Sequence, residues 1–308
     1  MKLTMKEHGD KIQAWLSEGR SYRQIAADLG CSKDTVNIFA KLNFPDLRRK
    51  PQEALPLVRE SSPVNVLVID IETAPNLVWA WGLHDQHTSP EMVVAPTRTL
   101  SFAAKWLGDD VIYFKSEFHN SREEMIKFAW QLLDKADIVM HYNGGQFDIP
   151  HLNREFIQLG LTPYSPIKHL DLLQTARRRF KFPSNKLAYV APALGVGEKV
   201  PHEGFRLWLR CMNGDEDAWE TMRSYNIQDV VVLEELYGKV LPWIERHPSL
   251  AAITGKDCCP TCGHEEIEEV GVYPTTTRQY PLYLCKGCGA HSRGTKSIDK
   301  TTVTGVAS

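Results

Sequence analysis

The segment VLVIDIETAP, residues 66–75, is an apolar run typical of a buried β-strand, yet it carries two acidic residues and ends at a proline. Side chains alternate between the two faces of a strand, so Asp70 and Glu72 share one face while Ile69 and Ile71 lie on the other. Two ionised carboxylates held side by side against a core cost free energy unless a cation or a shared proton compensates. The segment therefore indicates half of a divalent-metal site, although two solvated acids on an edge strand give the same pattern.

Residues 64–247 predict a domain of the α/β class. Strand-like segments come first (VNVLVIDIE, LVWAWGL, TLSFAAKWL and VIYF), followed by the helical SREEMIKFAWQLLDKA and the strand-like DIVMHYN. Strands followed by alternating helices and strands indicate a mixed sheet covered by helices. Trp79 and Trp81 share one face of the second segment, where we expect core packing rather than stacking on a base.

Residues 1–45 predict a small all-α domain of three helices. The expected inward positions are Ile12, Trp15, Leu16, Ile25, Ala26, Leu29, Val36, Phe39 and Ala40. The pattern resembles the helix-turn-helix of resolvases and many bacterial regulators, which implies DNA contact by Lys33 and Asn37 on the third helix. Residues 1–50 hold ten Lys and Arg against six Asp and Glu, which favours phosphate contact. The alternative is a helical bundle that docks to protein. Residues 46–63 are expected to form an extended linker.

Two later segments add further acids. In HYNGGQFDIPHLNREF, residues 141–156, a strand end and a glycine turn precede a helix that opens at Asp148. Asp148 fits either a helix N-cap or a ligand at the floor of a cleft, with the glycines allowing a ligand to approach closely. In SYNIQDVVVLEELY, residues 224–237, Tyr225 and Asp229 lie four residues apart on one helix face.

Taken together, DIE at 70–72, NGGQFD at 143–148 and YNIQD at 225–229 resemble the three motifs of the DEDD exonuclease superfamily, which has an RNase H-like fold. The tyrosine of the third motif marks the Tyr subclass. DLLQTARRRF and NKLAYVAPALGV resemble the corresponding spans of family B polymerase proofreading domains and their stand-alone relatives. The resemblance covers about residues 64–245.

This resemblance implies a two-metal-ion 3'–5' exonuclease, with DNA as the favoured substrate. Asp70, Glu72, Asp148 and Asp229 would hold two Mg²⁺ or Mn²⁺ ions, which activate water and stabilise the leaving 3'-oxygen. Tyr225 would orient the attacking water, since a phenol is a poor base at neutral pH. The alternatives are an RNase acting on 3' ends and a DNA-binding regulator with a non-catalytic nuclease-like core.

Substrate contacts are predicted from residue type and position. Asn143 fits a contact to the terminal sugar or phosphate, or alternatively a role in the glycine turn. Arg177 and Arg178, beside aromatic residues in ARRRFKF, fit a path for a single strand, or alternatively a solvated helix end.

The C-terminal segment predicts a second metal site. CPTCG at 259–263 and CKGCG at 285–289 are matched Cys-x-x-Cys turns, and they predict a zinc ribbon over residues 255–293 with one structural Zn²⁺. Its ligands would be Cys259, Cys262, Cys285 and Cys288. The alternatives are disulfide pairing, or replacement of one sulfur by Cys258, His264 or His291. Residues 294–308 are expected to be a disordered tail.

The setting of the protein is inferred from composition. Apolar runs stop well short of the roughly 18 residues of a membrane span, and MKLTMKEHGD is too polar for a signal peptide. Clustered cysteines without an export signal favour a reducing, cytoplasmic location. The net charge of -2 indicates no global basic field. The expected partners are nucleic acid and replication or repair proteins, with no membrane, and the domain combination suggests a phage or bacterial source.

Overall fold

A computed structural model describes residues 8–17, 20, 22–31, 35–36, 39–40, 43–44, 64–82, 84, 87–197 and 200–300. The chain divides into two compact units, residues 1–60 and 61–308. Most of the predicted third helix, with Lys33 and Asn37, the linker 46–63 and residues 301–308 lie outside the described residues.

The first unit contains helices α1 (Gly9–Ser17) and α2 (Tyr22–Leu29). Ile12, Ile25, Ala26 and Val36 form its buried cluster, and further predicted inward residues pack around them. The predicted apolar positions of this unit are therefore confirmed as its core.

The second unit contains the remaining elements. Its strands are β1 (Val66–Thr73), β2 (Leu77–Val78), β3 (Val93–Ala95), β4 (Thr99–Trp106), β5 (Ile112–Ser116), β6 (Ile138–His141), β7 (Lys168–Asp171), β8 (Ile267–Pro274), β9 (Arg278–Cys285), β10 (His291–Arg293) and β11 (Asp299–Lys300). Its helices are α3 (Arg122–Asp134), α4 (Asp148–Gln158), α5 (Leu172–Arg179), α6 (Leu187–Ala193), α7 (Phe205–Met212), α8 (Glu216–Val240) and α9 (Leu250–Thr254), with short 3-10 turns at Pro90–Met92 and Leu241–Trp243.

The central sheet has five strands in the order β5-β4-β1-β6-β7. β4 is antiparallel to β1 and β5, whereas β6 is parallel to β1 and β7. β1 is therefore central, which explains its nearly continuous apolar sequence. The predicted mixed α/β fold, with small elements at both ends, is confirmed.

The two faces of β1 meet different helices. Val66 and Val68 belong to the same buried cluster as Val230 and Leu233 of α8. On β4 the neighbouring Phe102 points away from this cluster and stacks on Phe128 of α3, with ring centroids 6.2 Å apart. Asp70 and Glu72, in phase with Val66 and Val68, consequently lie on the face that α8 covers.

Helix ends are fixed by local side chains. Ser121 and Glu124 form a capping box at the start of α3, as the sequence SREE favours. Asp215 caps α8 by accepting hydrogen bonds from the amides of Asp217 and Ala218. The Ser121 box therefore sets where α3 begins, and Asp215 sets where α8 begins.

The C-terminal sheet pairs β8, β10 and β11 with β9. Asp299 and Lys300 pair with Gln279 and Arg278, so the sheet extends past residue 294, where the sequence had predicted a disordered tail. That prediction was wrong for residues 294–300, because the edge of β9 offers backbone partners that local composition does not reveal.

The segment LVWAWGL also differs from its prediction. Among its described residues, 77–82, the strand is limited to Leu77–Val78, which pairs with β3 in a separate two-stranded sheet. Trp79 and Trp81 are 77% and 99% exposed, so the expectation that they are core residues is wrong. The two-stranded sheet is separate from the central one, and no layer formed by described residues covers these indoles.

Within the part of the chain that the structure describes, no helix combines the length and apolarity needed to span a bilayer.

Candidate active site

Three carboxylates from two elements converge on the α8 face of the sheet. Asp70 and Glu72 come from β1, and Asp229 comes from the middle of α8. One oxygen from each lies within 4.8 Å of the other two. Asp229 is buried and the other two are half-buried, so their mutual repulsion is only partly screened by water. The arrangement offers a cation three hard oxygen ligands.

Asp148 lies next to this trio but is not grouped with it. It is the first residue of α4, and its Oδ1 accepts a hydrogen bond of 3.0 Å from the amide of Ile71, between the two acids of β1. Burial raises the pKa of Asp148 to about 7, although the amide bonds oppose the shift. The structure thus brings three of the four predicted ligands together and anchors the fourth to the same strand.

Asn226 is a site residue that the sequence reasoning missed. Its Nδ2 donates to both the Oδ2 and the backbone carbonyl of Asp70, at 2.7 and 3.1 Å. Its Oδ1 accepts a hydrogen bond of 3.1 Å from Ser101 Oγ. Asn226 is fully buried and lies three residues before Asp229, on the same side of α8. The i, i+3 spacing places Asn226 near a predicted ligand, but no local pattern shows that it binds Asp70, 156 positions away.

The turn before Asp148 is shaped by Asn143 and Gly144. Asn143 has a φ of 71°, and its amide donates to Asp171 Oδ1 at 2.9 Å. A Cβ on Gly144 would lie 2.6 Å from His141 Cγ and 3.1 Å from Asp148 Oδ2. Glycine is therefore required for close packing against protein atoms, whereas the sequence reasoning had assigned the close approach to a ligand.

Two histidines pack against this turn: His141 contacts it directly, and His169 contacts His141. His141 Nδ1 accepts a hydrogen bond from the Gly144 amide, and its Nε2 lies 3.2 Å from His169 Nδ1. His141 is 1% exposed, and burial lowers its pKa to about 4. A neutral imidazole therefore holds the turn at neutral pH.

Tyr225 lies in an aromatic cluster beside the trio. Its ring contacts His202 and Trp208 edge-on, with centroids 4.8 and 6.1 Å away. Trp208 belongs to α7, so α7 and the loop before it fix the orientation of the phenol. These contacts leave Tyr225 half-buried.

The predicted strand-contacting residues fall in two places. Arg177 and Arg178 are neighbours in the last turn of α5, but Arg177 lines a depression beside Tyr142 and Asn185, whereas Arg178 lines a separate groove. Asp171, which the sequence reasoning excluded as a ligand, caps α5 through the Leu173 amide.

Four cysteine sulfurs gather at one end of the C-terminal sheet. The Sγ atoms of Cys259, Cys262, Cys285 and Cys288 lie within 4.8 Å of one another. Cys259 and Cys288 are 3.8 Å apart, and Cys262 and Cys285 are 3.6 Å apart. All are free thiols, which contradicts the disulfide alternative because an S–S bond is about 2.05 Å long. Sulfurs at about 2.3 Å around a tetrahedral zinc ion would have similar separations.

The other ligands considered from sequence are outside this group. Cys258, His264 and His291 do not belong to the four-sulfur cluster found among the described residues. His264 instead packs against Gly287, where a Cβ would lie 2.7 Å from the imidazole.

Comparisons with known proteins give a structural similarity and a family match. The solved family B DNA polymerase from the hyperthermophilic archaeon Pyrobaculum calidifontis is similar to 58% of this chain, with 19% sequence identity and a TM-score of 0.44. The match covers 25% of the polymerase chain, so the similarity involves about a quarter of that protein. No curated protein sequence matches the chain. The family model of the RNase H superfamily matches residues 67–241, more than half of the sequence, and the chain therefore belongs to the RNase H superfamily.

Proposed function

We propose that the protein is a metal-dependent 3'–5' exonuclease of the Tyr subclass of the DEDD superfamily, acting on DNA 3' ends. Membership of the RNase H superfamily points to a nuclease and thus to a nucleic acid substrate. The observation that carries the finer proposal is the convergence of Asp70, Glu72 and Asp229, from two distant stretches of sequence, within 4.8 Å.

The donor set fits two hard divalent cations. Carboxylate oxygens favour Mg²⁺ or Mn²⁺, and the trio with Asp148 would hold them. Bound ions supply Lewis-acid activation of water and neutralise the charge that develops on the scissile phosphate. Burial raises the pKa of Asp148 to about 7, and a nearby cation would lower that pKa again and so favour the ionised carboxylate.

The surrounding residues position these ligands. Asn226 fixes the Asp70 carboxylate, and the Ile71 amide fixes Asp148, so both acids are oriented before a cation arrives. Tyr225, held by His202 and Trp208, orients the attacking water by a hydrogen bond. Asn143, at the turn, contacts the terminal nucleotide.

Additional parts of the chain contribute to this function. Cys259, Cys262, Cys285 and Cys288 hold one structural Zn²⁺, the ion that four thiolates favour. The N-terminal unit is a helix-turn-helix domain that contacts DNA through Lys33 and Asn37, and Arg177 and Arg178 contact the single strand.

The test is degradation of end-labelled single-stranded DNA and RNA with Mg²⁺ or Mn²⁺. We expect the wild type to release nucleotides from the 3' end, with DNA preferred, and Asp70→Ala and Asp229→Ala to lower the rate more than about a hundredfold. Glu123→Gln, at an exposed acid on α3, is the matched control and should retain full activity.

Thermal unfolding of each variant separates loss of chemistry from loss of fold. A folded wild type without metal-dependent cleavage of either substrate contradicts the proposal, as does equal activity in the Asp70→Ala variant. Preferential loss of RNA nucleotides would instead identify the 3'-end RNase.

A further inference from the structure

A groove lies along the outer edge of the central sheet, away from the acidic trio. It is formed by β7, α5 and the segment that follows the 3-10 turn after α8, and it encloses about 220 Å³. The lining residues that matter here are His169, Asp171, Arg178, Arg179, Trp243 and Arg246.

The groove has more arginine side chains than carboxylates to pair with them. Arg179 forms an ion pair of 2.8 Å with Glu245, and the carboxylate of Asp171 accepts from the amides of Asn143 and Leu173. Arg178 and Arg246 have no ion-pair partner among the residues that the structure describes. Two guanidinium groups therefore remain available to an anionic ligand.

An aromatic side chain accompanies these cations. Trp243 is 54% exposed, and its ring packs edge-on against Phe180 with centroids 5.7 Å apart. The backbone carbonyl of Trp243 accepts a hydrogen bond of 3.3 Å from Arg179 Nε, which ties this segment to α5. The indole is thus held in place while much of its surface stays open to a ligand.

Hydrogen bonds connect the groove to the candidate active site. Asp171 Oδ1 accepts a hydrogen bond from the amide of Asn143. His169 contacts His141, which in turn binds the Gly144 amide in the turn that leads to Asp148. Asp171 and His169, which line the groove, therefore contact the turn that leads to Asp148, the former directly and the latter through His141.

We propose that the groove binds the single-stranded nucleic acid whose 3' end enters the active site, with Arg178 and Arg246 on phosphates and Trp243 stacked on an unpaired base. This inference rests on the proposed nuclease function and extends its substrate path. Phosphates match guanidinium groups, and an exposed indole matches a base that is not covered by a pairing partner. An acidic peptide would use the cations but has no need of the indole.

The test measures binding of a fluorescent oligothymidylate at several salt concentrations, in an Asp70→Asn background that keeps the strand intact. For single strands the logarithm of the binding constant falls by about 0.7 per phosphate contact for each tenfold increase in salt. Arg178→Ala/Arg246→Ala should therefore make the slope less steep by about 1.4. Lys127→Ala/Lys135→Ala is the charge-matched control and should keep the wild-type slope; Lys127 lies on α3 and Lys135 is its C-cap residue, at the other face of the sheet.

Trp243→Leu keeps an apolar side chain but removes the ring, and it should weaken binding at least about fivefold. Thermal unfolding confirms that each variant is folded. An unchanged slope in the double-arginine variant, an equal change in the lysine control, or full affinity in Trp243→Leu overturns the proposal. Polyglutamate that displaces the strand from wild type but binds independently of Trp243 would also overturn it in favour of an acidic peptide. Because hydrolysis is not measured, this result is independent of the cleavage assay.

Discussion

The side-chain amide of Asn226 fixes Asp70 at two points, because it donates hydrogen bonds to the carboxylate and to the backbone carbonyl of that residue. Asn226→Ala removes both of these hydrogen bonds and so weakens the orientation of the Asp70 carboxylate toward Asp229. Removing such a supporting hydrogen bond to a metal ligand costs about 10–100-fold in metal affinity or activity. We expect a loss of that size in Mn²⁺ affinity, measured by calorimetry, and in nuclease rate.

Ser101→Ala provides a graded comparison for this prediction. Ser101 orients Asn226 from the far side, and its loss should have a smaller effect in the same direction. Wild-type Mn²⁺ affinity in a folded Asn226→Ala variant would show that Asp70 needs no such support.

The two glycines after Asn143 provide a matched pair of substitutions. A methyl group on Gly144 would meet His141 at 2.6 Å, whereas one on Gly145 would lie 3.8 Å from the same ring, an ordinary contact. Gly144→Ala should lower the free energy of unfolding by about 1–3 kcal/mol, as overpacking does. Gly145→Ala should cost much less. Urea denaturation measures both, and equal losses would mean that the turn relaxes freely.

The acids of the site could be predicted from the sequence, but their supports could not. Asp70 and Glu72 are conspicuous because acids interrupt an apolar strand, and Asp229 fits a helical spacing. Asn226 and His141 are ordinary polar residues in their own segments. Their roles depend on contacts between residues 156 and 28 positions apart, which no local pattern records.

At the scale of elements, a buried histidine at the end of β6 makes the free energy of unfolding depend on pH. His141, at the end of β6, has its pKa lowered to about 4 by burial, below its usual 6.5. Between these values the unfolded chain binds a proton that the folded chain does not. The contribution of His141 to the free energy of unfolding is therefore at its maximum above pH 6.5. As the pH falls from 6.5 to 4, the free energy of unfolding decreases by a total of about 3 kcal/mol.

His141→Gln tests this dependence while keeping a polar side chain. Urea denaturation from pH 7.5 to 4.5, without metal, should show a shallower decline in the variant than in the wild type. The raised pKa of Asp148 acts in the opposite direction, but it is present in both proteins and so largely cancels in the comparison. Parallel curves would mean that His141 is protonated in the folded state.

Elements that are buried inside the sheet are the easiest to predict from the sequence. β1 and β4 have strong apolar signals because they lie inside the sheet, and α3 has a capping box in its sequence. LVWAWGL has an equally apolar sequence, yet Trp81 is almost fully exposed. Composition indicates the tendency to be buried, whereas the available neighbours decide whether burial occurs.

At the scale of the whole molecule, the four-cysteine region is joined to the helix that carries Asp229. Tyr237 lies about two helical turns after Asp229 on α8, is buried in the main core, and has its hydroxyl 3.0 Å from His247 Nε2. The Leu250 amide at the start of α9 donates to the carbonyl of Pro260, between Cys259 and Cys262, at 2.8 Å. A continuous set of contacts thus links the cysteine cluster to the C-terminal half of α8.

Loss of the proposed zinc ion should therefore loosen α8 as well as the cysteine turns. Cys262→Ser should lower the thermal unfolding midpoint and increase hydrogen exchange of amides around Tyr237, because zinc binding contributes directly to the folding of such modules. Cys258→Ser is the matched control: Cys258 is buried beside Cys259 but lies outside the four-sulfur group, so exchange in α8 should stay at the wild-type level. Increased exchange confined to residues 259–293 would show that the cysteine region and α8 unfold independently.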